Sequence, residues 1–119
     1  MTARPLRVAL LGAGNVGLEV ARLLTESAED LEARIGAPLE VVAVVVRDLG
    51  RTRPGIDQTL LTDDAEAVVA RKDLDIVIEL LGGIEPARSL LLMAMANGAS
   101  RVLIRRETAE DLLARDQDA

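Results

Sequence analysis

The glycines at positions 12, 14 and 17, spelled G-A-G-N-V-G, are the residues whose type and spacing most directly imply chemistry. They follow a short apolar run, residues 7–11 (RVALL), and precede a long helical pattern. In that context the spacing is one that cradles phosphates. Gly12 permits a tight turn, Gly14 lets the backbone approach a pyrophosphate, and Gly17 lets the helix pack closely on the strand. The free N–H groups of Asn15 and Val16, at the helix N-terminus, then point at the phosphates. The plainer reading is a glycine turn that binds nothing. The flanking strand and helix favour a dinucleotide site.

Two further groups of residues bear on such a site. The second strand should end near an adenosine ribose, where an acidic residue favours NAD and an arginine pairs with the extra phosphate of NADP. Here it ends Arg47-Asp48, with Arg51 and Arg53 close behind. The arginine favours NADP, but Asp48 can equally take a ribose hydroxyl, and all four also read as solvated loop charges. This point lies about 30 residues past the glycines rather than about 20, a gap that a long first helix would fill. The third group is ELLGGIEPA, residues 79–87. Leu81, Gly82 and Gly83 end a strand beside a helix N-terminus, where a bare backbone can approach a nicotinamide ribose; a flexible connecting loop is the alternative. Glu79 and Glu85 show no partner that would make them an acid–base pair, and Glu85 suits a helix start. The doublets Asp63-Asp64 and Asp73/Asp75 sit where caps and turns want Asp, so no metal site and no catalytic residue is assigned.

The elements that must position these groups follow from composition and periodicity. Of 119 residues, 50% are apolar and 29% charged, which fits one soluble globular domain spanning 1–119. Cys, His, Phe, Tyr and Trp are all absent. That excludes disulfides, thiol nucleophiles and Cys-ligated zinc, removes the usual neutral-pH base, and leaves no ring on which a nucleobase could stack. Fourteen basic against 20 acidic residues give a net charge of −6, so neither nucleic acid nor an anionic membrane is an expected partner. No apolar run approaches the roughly 20 residues of a membrane helix, and no secretory signal is visible, so a cytoplasmic location is expected.

Strands are expected at residues 7–11, 39–46, 75–81 and 101–104. The intervening helices are one long helix carrying Val16, Val20, Leu23, Leu24, Leu31 and Ile35 on its buried face and ending at Gly36, a shorter one at 63–71 started by Asp63 and Glu66, and one from Pro86 to the Asn97-Gly98 stop. A short terminal helix is expected at 108–115. Strands alternating with helices in this way predict an α/β fold, a three-layer Rossmann-type parallel sheet with helices on both faces. The strand order would be second, first, third, fourth, with the switch point beside the glycine loop.

With these motifs placed, residues 6–100 resemble the amino-terminal nucleotide-binding domain of bacterial homoserine dehydrogenases. The resemblance rests on the GAGNVG loop, ARLLTESAEDLEARIGAPLEVVAVVVRD, LLTDDAEAVV and, most specifically, DIVIELLGGIEPAR. It implies an oxidoreductase domain using NADP or NAD, from a family that interconverts homoserine and aspartate semialdehyde in threonine and methionine biosynthesis. Members of the family continue into a strand ending T-A-N-K, whose lysine lies at the nicotinamide end. Here residues 101–106 read RVLIRR, Arg106 falls near that lysine, and 101–119 has no counterpart. The family also carries a substrate-binding, dimer-forming region that this chain lacks, so the partners expected are that missing domain or a second copy. The alternative from another class is a stand-alone NAD(P)-binding regulatory module acting through a protein partner.

Overall fold

A computed structural model describes residues 4–12, 14–51, 53, 55–81 and 87–103. Ten elements occur among them. In order they are strand β1 (Leu6–Leu11), helices α1 (Asn15–Glu26) and α2 (Ala28–Ile35), β2 (Leu39–Val45), a 3-10 turn (Gln58–Leu60), β3 (Leu61–Thr62), α3 (Ala65–Val69), β4 (Ile76–Glu79), α4 (Ala87–Ala96) and β5 (Arg101–Leu103). The five strands form one sheet in the order β3-β2-β1-β4-β5, and every pairing is parallel. The expected order of the four main strands therefore holds. The two-residue β3, which pairs Val44 with Leu61 and Val45 with Thr62, is an addition at the edge.

The sheet is Rossmann-like, with apolar residues on both faces because helices cover both. Along β1, Val8 and Leu10 face one core cluster while Ala9 and Leu11 face the other, the period of two that a strand imposes. The first cluster is closed by Val20, Ala21 and Leu24 of α1. Val68 and Val69 of α3 and Leu90, Leu91 and Ala94 of α4 close the second. Three layers result.

The single long helix expected through Ile35 is two helices that meet at Ser27. Two residues earlier the Thr25 hydroxyl donates to the Ala21 carbonyl at 3.1 Å, a back-bond that often bends helices. The apolar stripe loses phase at this corner. Leu23 is 51% and Ile35 41% exposed rather than buried, and α2 buries none of its residues. It ends as expected at Gly36, whose φ of 92° satisfies a left-handed cap.

Other boundaries move for local reasons. Helix α3 is capped by Asp64, not Asp63, its carboxylate accepting the Ala67 N–H at 3.0 Å. The third main strand shortens to Ile76–Glu79 because Asp75 turns into a clamp at its start. One Asp75 oxygen accepts the Arg7 N–H at 2.8 Å and the other the Arg4 guanidinium at 2.9 Å. Asp73 pairs with Arg71 at 2.7 Å. The acidic doublets are thus a cap and clamps, and no metal-type cluster occurs among the described residues. The expected terminal helix, Pro86, Glu85 and Arg106 lie outside the described residues.

These clamps are expected to contribute to stability that is lost in acid. The Arg7 N–H, and then Arg4, lower the Asp75 pKa, while the Arg71 guanidinium holds Asp73 at about 2. A carboxylate depressed in the native state stabilises it above the unfolded pKa of about 4, and that contribution disappears as pH falls through the native value. Urea midpoints are therefore expected to hold near neutrality and to fall from about pH 4 towards 2. Asp75→Asn should cost on the order of 1 kcal/mol at neutral pH and flatten that acid limb; an unaltered limb would relieve Asp75 of this role.

Candidate functional site

The carboxyl ends of β1, β2 and β4 converge on one cleft of about 310 Å³. Gly12 and Gly14 line it from β1, Val45, Val46, Arg47, Asp48, Arg51 and Arg53 from β2, and Leu80 and Leu81 from β4. The chain leaves β1 towards β2 on one side and reaches β4 on the other, so this is the switch point where an open parallel sheet leaves a crevice.

The strand ends are laced together beneath it. The Gly12 N–H donates to the Val45 carbonyl and the Leu80 N–H to the Leu11 carbonyl, both at 2.8 Å. Gly12 has φ of 109°, and a Cβ there would stand 3.0 Å from the Leu80 carbonyl oxygen. Conformation and close approach both require glycine. Gly14 is different. Its φ is −74°, and a Cβ built on it meets nothing within 4 Å. It is exposed, lines the cleft, and leaves open space where a side chain would otherwise stand.

Helix α1 starts directly at this opening, with Gly14 as its N-cap. No side chain caps it and its first turn holds no acidic residue. The leading N–H groups, those of Asn15, Val16 and Gly17 among them, have no partner inside the helix, and the positive end of its dipole faces the cleft uncompensated. Gly17 is buried, as close helix packing demands. This arrangement fits a pyrophosphate, an anion that needs backbone donors and a space free of side chains.

The β2 side supplies charge. Arg47, Asp48 and Arg51 are exposed and line the cleft together, and the buried Arg53 lines it beside them. One Asp48 oxygen accepts the Gly50 N–H at 2.9 Å, so part of that carboxylate serves its own turn. Arg47, Arg51 and Arg53 take part in none of the ion pairs among the described residues. Arg53 is only 5% exposed, although the sequence gives it as one more polar loop residue. Its burial follows from how the irregular loop turns its carbonyls inward, which no periodicity encodes.

Leu80 and Leu81 form an apolar wall from β4, and Leu81 also packs on the core. Gly82 and Gly83 lie outside the described residues. Glu79, in register with Leu11 at the carboxyl end of β4, is 1% exposed. The cleft thus brings together Gly12, Gly14, Arg47, Asp48, Arg51, Arg53 and Leu81 of the residues considered from sequence, and adds Val45, Val46 and Leu80.

Residues 12–114 match the family described as homoserine dehydrogenase, NAD binding domain. Among curated relatives, homoserine dehydrogenase of Mycobacterium tuberculosis is 50% identical over 99 residues, covering 83% of this chain and 22% of that protein. That of Corynebacterium glutamicum is 45% identical over 108 residues, covering 87% and 24%. The crystal structure of a homoserine dehydrogenase from Thiobacillus denitrificans superposes with a TM-score of 0.79 at 38% identity, over 87% of this chain and 24% of that one. The chain therefore spans less than a quarter of the length of these relatives. None of them supports the alternative of a stand-alone regulatory module.

Proposed function

The chain belongs to the family of homoserine dehydrogenase NAD-binding domains, and on that premise we propose that its cleft seats a nicotinamide dinucleotide across the switch point. The pyrophosphate lies over Gly12, Gly14 and the N–H groups of Asn15, Val16 and Gly17. The adenosine ribose lies against Arg47 and Asp48, and the nicotinamide end runs along Leu81 towards Gly82 and Gly83. The observation that carries this reading is the open space at Gly14, directly in front of an uncapped helix. When bound, the cofactor supplies hydride transfer. The role of the chain's own residues is to bind it, orient it and wall one side of the site from water.

In this reading the chain is the single cofactor-binding domain of an oxidoreductase that interconverts homoserine and aspartate semialdehyde. Holding homoserine falls to residues of the kind that occupy the remaining length of its relatives. Calorimetric titration of the chain with NADPH and with NADH tests the proposal, since a protein without tryptophan offers no intrinsic indole signal. Absence of heat and of competition with either cofactor would overturn it.

The cofactor preferred is NADP. Arg47 is exposed on the cleft with no carboxylate paired to it among the described residues. A guanidinium meeting a phosphate in a partly exposed site is worth on the order of 1–3 kcal/mol. Arg47→Ala should therefore weaken NADPH by roughly tenfold or more and leave NADH nearly unchanged. Equal losses for the two cofactors would transfer the ribose contact to Asp48 and favour NAD.

A further inference from the structure

Arg53 and Glu79 are the buried charged residues among those described, and Arg53 belongs to a loop whose residues 47–51 and 55 are exposed. Taking a guanidinium out of water costs free energy unless its donors are used. Arg53 uses them on its own loop. Its Nη1 donates to the Asp48 carbonyl at 2.8 Å and to the Arg51 carbonyl at 3.1 Å. Its Nε is buried with no partner among the described residues. The far side of the same residue is also held. The Arg53 carbonyl accepts the Gln58 side-chain amide at 3.2 Å and the Ile56 N–H at 3.3 Å, and Gln58 reaches the Ile56 carbonyl as well. The loop after β2 is thus wound around one buried cation and pinned from behind.

The consequence is electrostatic as well as geometric. Arg47, Arg51 and Arg53 line the cleft together with Asp48, and none of the three forms an ion pair among the described residues, in a chain whose net charge is −6. Resting on the dinucleotide reading above, we infer that Arg53 is the positioning residue for phosphate discrimination. By holding the carbonyls of Asp48 and Arg51 it fixes the loop that presents Arg47 and Arg51 to an anionic group on the adenosine ribose. The ligand class this selects is a ribose bearing a 2′-phosphate.

Two variants test the inference, each titrated with NADPH, NADH and the fragment 2′,5′-ADP, with 5′-AMP as the fragment lacking the 2′-phosphate. Arg53→Met keeps the apolar stem and removes both carbonyl bonds, and replacing a buried ion by an apolar side chain is compatible with folding. NADPH and 2′,5′-ADP should each weaken at least tenfold, while NADH and 5′-AMP change less than threefold. Gln58→Ala alters no charge and lies at an exposed position. By removing one of the two bonds to the Arg53 carbonyl it should weaken NADPH about threefold and spare NADH, a selectivity that general loosening of the fold would not produce. If Arg53→Met does not fold, Gln58→Ala decides alone. NADPH binding unaltered in Gln58→Ala, or loss of NADH in proportion to NADPH in either variant, overturns the positioning role. A parent chain that binds both cofactors equally also overturns it, and leaves the dinucleotide site standing. A parent that binds neither overturns the site itself.

Discussion

Gly14→Val is expected to lower the affinity for NADPH and for NADH at least tenfold, about 1.4 kcal/mol, while the chain stays folded and loses about 1 kcal/mol at most for the poorer helix cap. The two halves of that result come from two properties of one residue. The backbone at Gly14 is in the extended region and a Cβ there meets nothing within 4 Å, so a side chain can start from this position without crowding the described residues. The same empty space lies on the cleft, in front of the α1 N-terminus, where the proposed pyrophosphate would approach the backbone. Gly12→Ala is the contrasting control. With φ of 109° and a carbonyl oxygen 3.0 Å from the new methyl, it should lose about 1–3 kcal/mol of stability. A Gly14→Val chain that remains folded and binds as well as the parent would remove the phosphate site from this loop.

The 119-residue chain assayed alone, with homoserine and NADP at millimolar levels, is expected to give no NADPH above a control with Gly14 replaced. Hydride transfer needs the substrate carbon held about 3–3.5 Å from the nicotinamide, in a site that excludes water. It also needs a group that takes the hydroxyl proton. The sequence offers no His, Cys or Tyr. Lys72, its only lysine, is exposed in the turn between α3 and β4, at the amino end of a parallel sheet whose cleft is at the carboxyl end. An arginine cannot exchange a proton near neutral pH. Turnover by the purified chain would mean that a substrate site exists among these residues.

Much of the positioning frame was legible in the sequence because burial on both faces leaves a strong mark. The runs RVALL, LEVVAVVV and DIVIE are apolar at nearly every position, as strands covered by helices on both sides must be. The glycine stops between them set the order of elements, and parallel connectivity did the rest. What escaped depends on interactions without a period. The corner at Ser27 follows from a Thr25 hydroxyl turned back on its own helix, and β3 is too short to carry a pattern. Asp63 and Asp64 are adjacent and alike, so the choice of cap fell to backbone geometry. At the cleft, Gly12, Gly14, Arg47 and Leu81 were readable from their relation to strand ends. Arg53 was not, since an arginine in an irregular loop looks solvated until the carbonyls around it are seen.

Helix α2 buries none of its residues, yet it lies between the glycine loop and the β2 end of the cleft in the chain. Its amide protons should exchange with solvent far faster than those of β1 and β4, since opening eight residues that carry no core costs the sheet little. The same independence makes this the place where the domain will accept foreign sequence. A peptide spliced in at the exposed Glu29–Asp30 pair should lengthen a detour and leave the strand ends where they are. Because the chain has no aromatic residue of its own, a single tryptophan carried on such an insert would report local motion against a dark background.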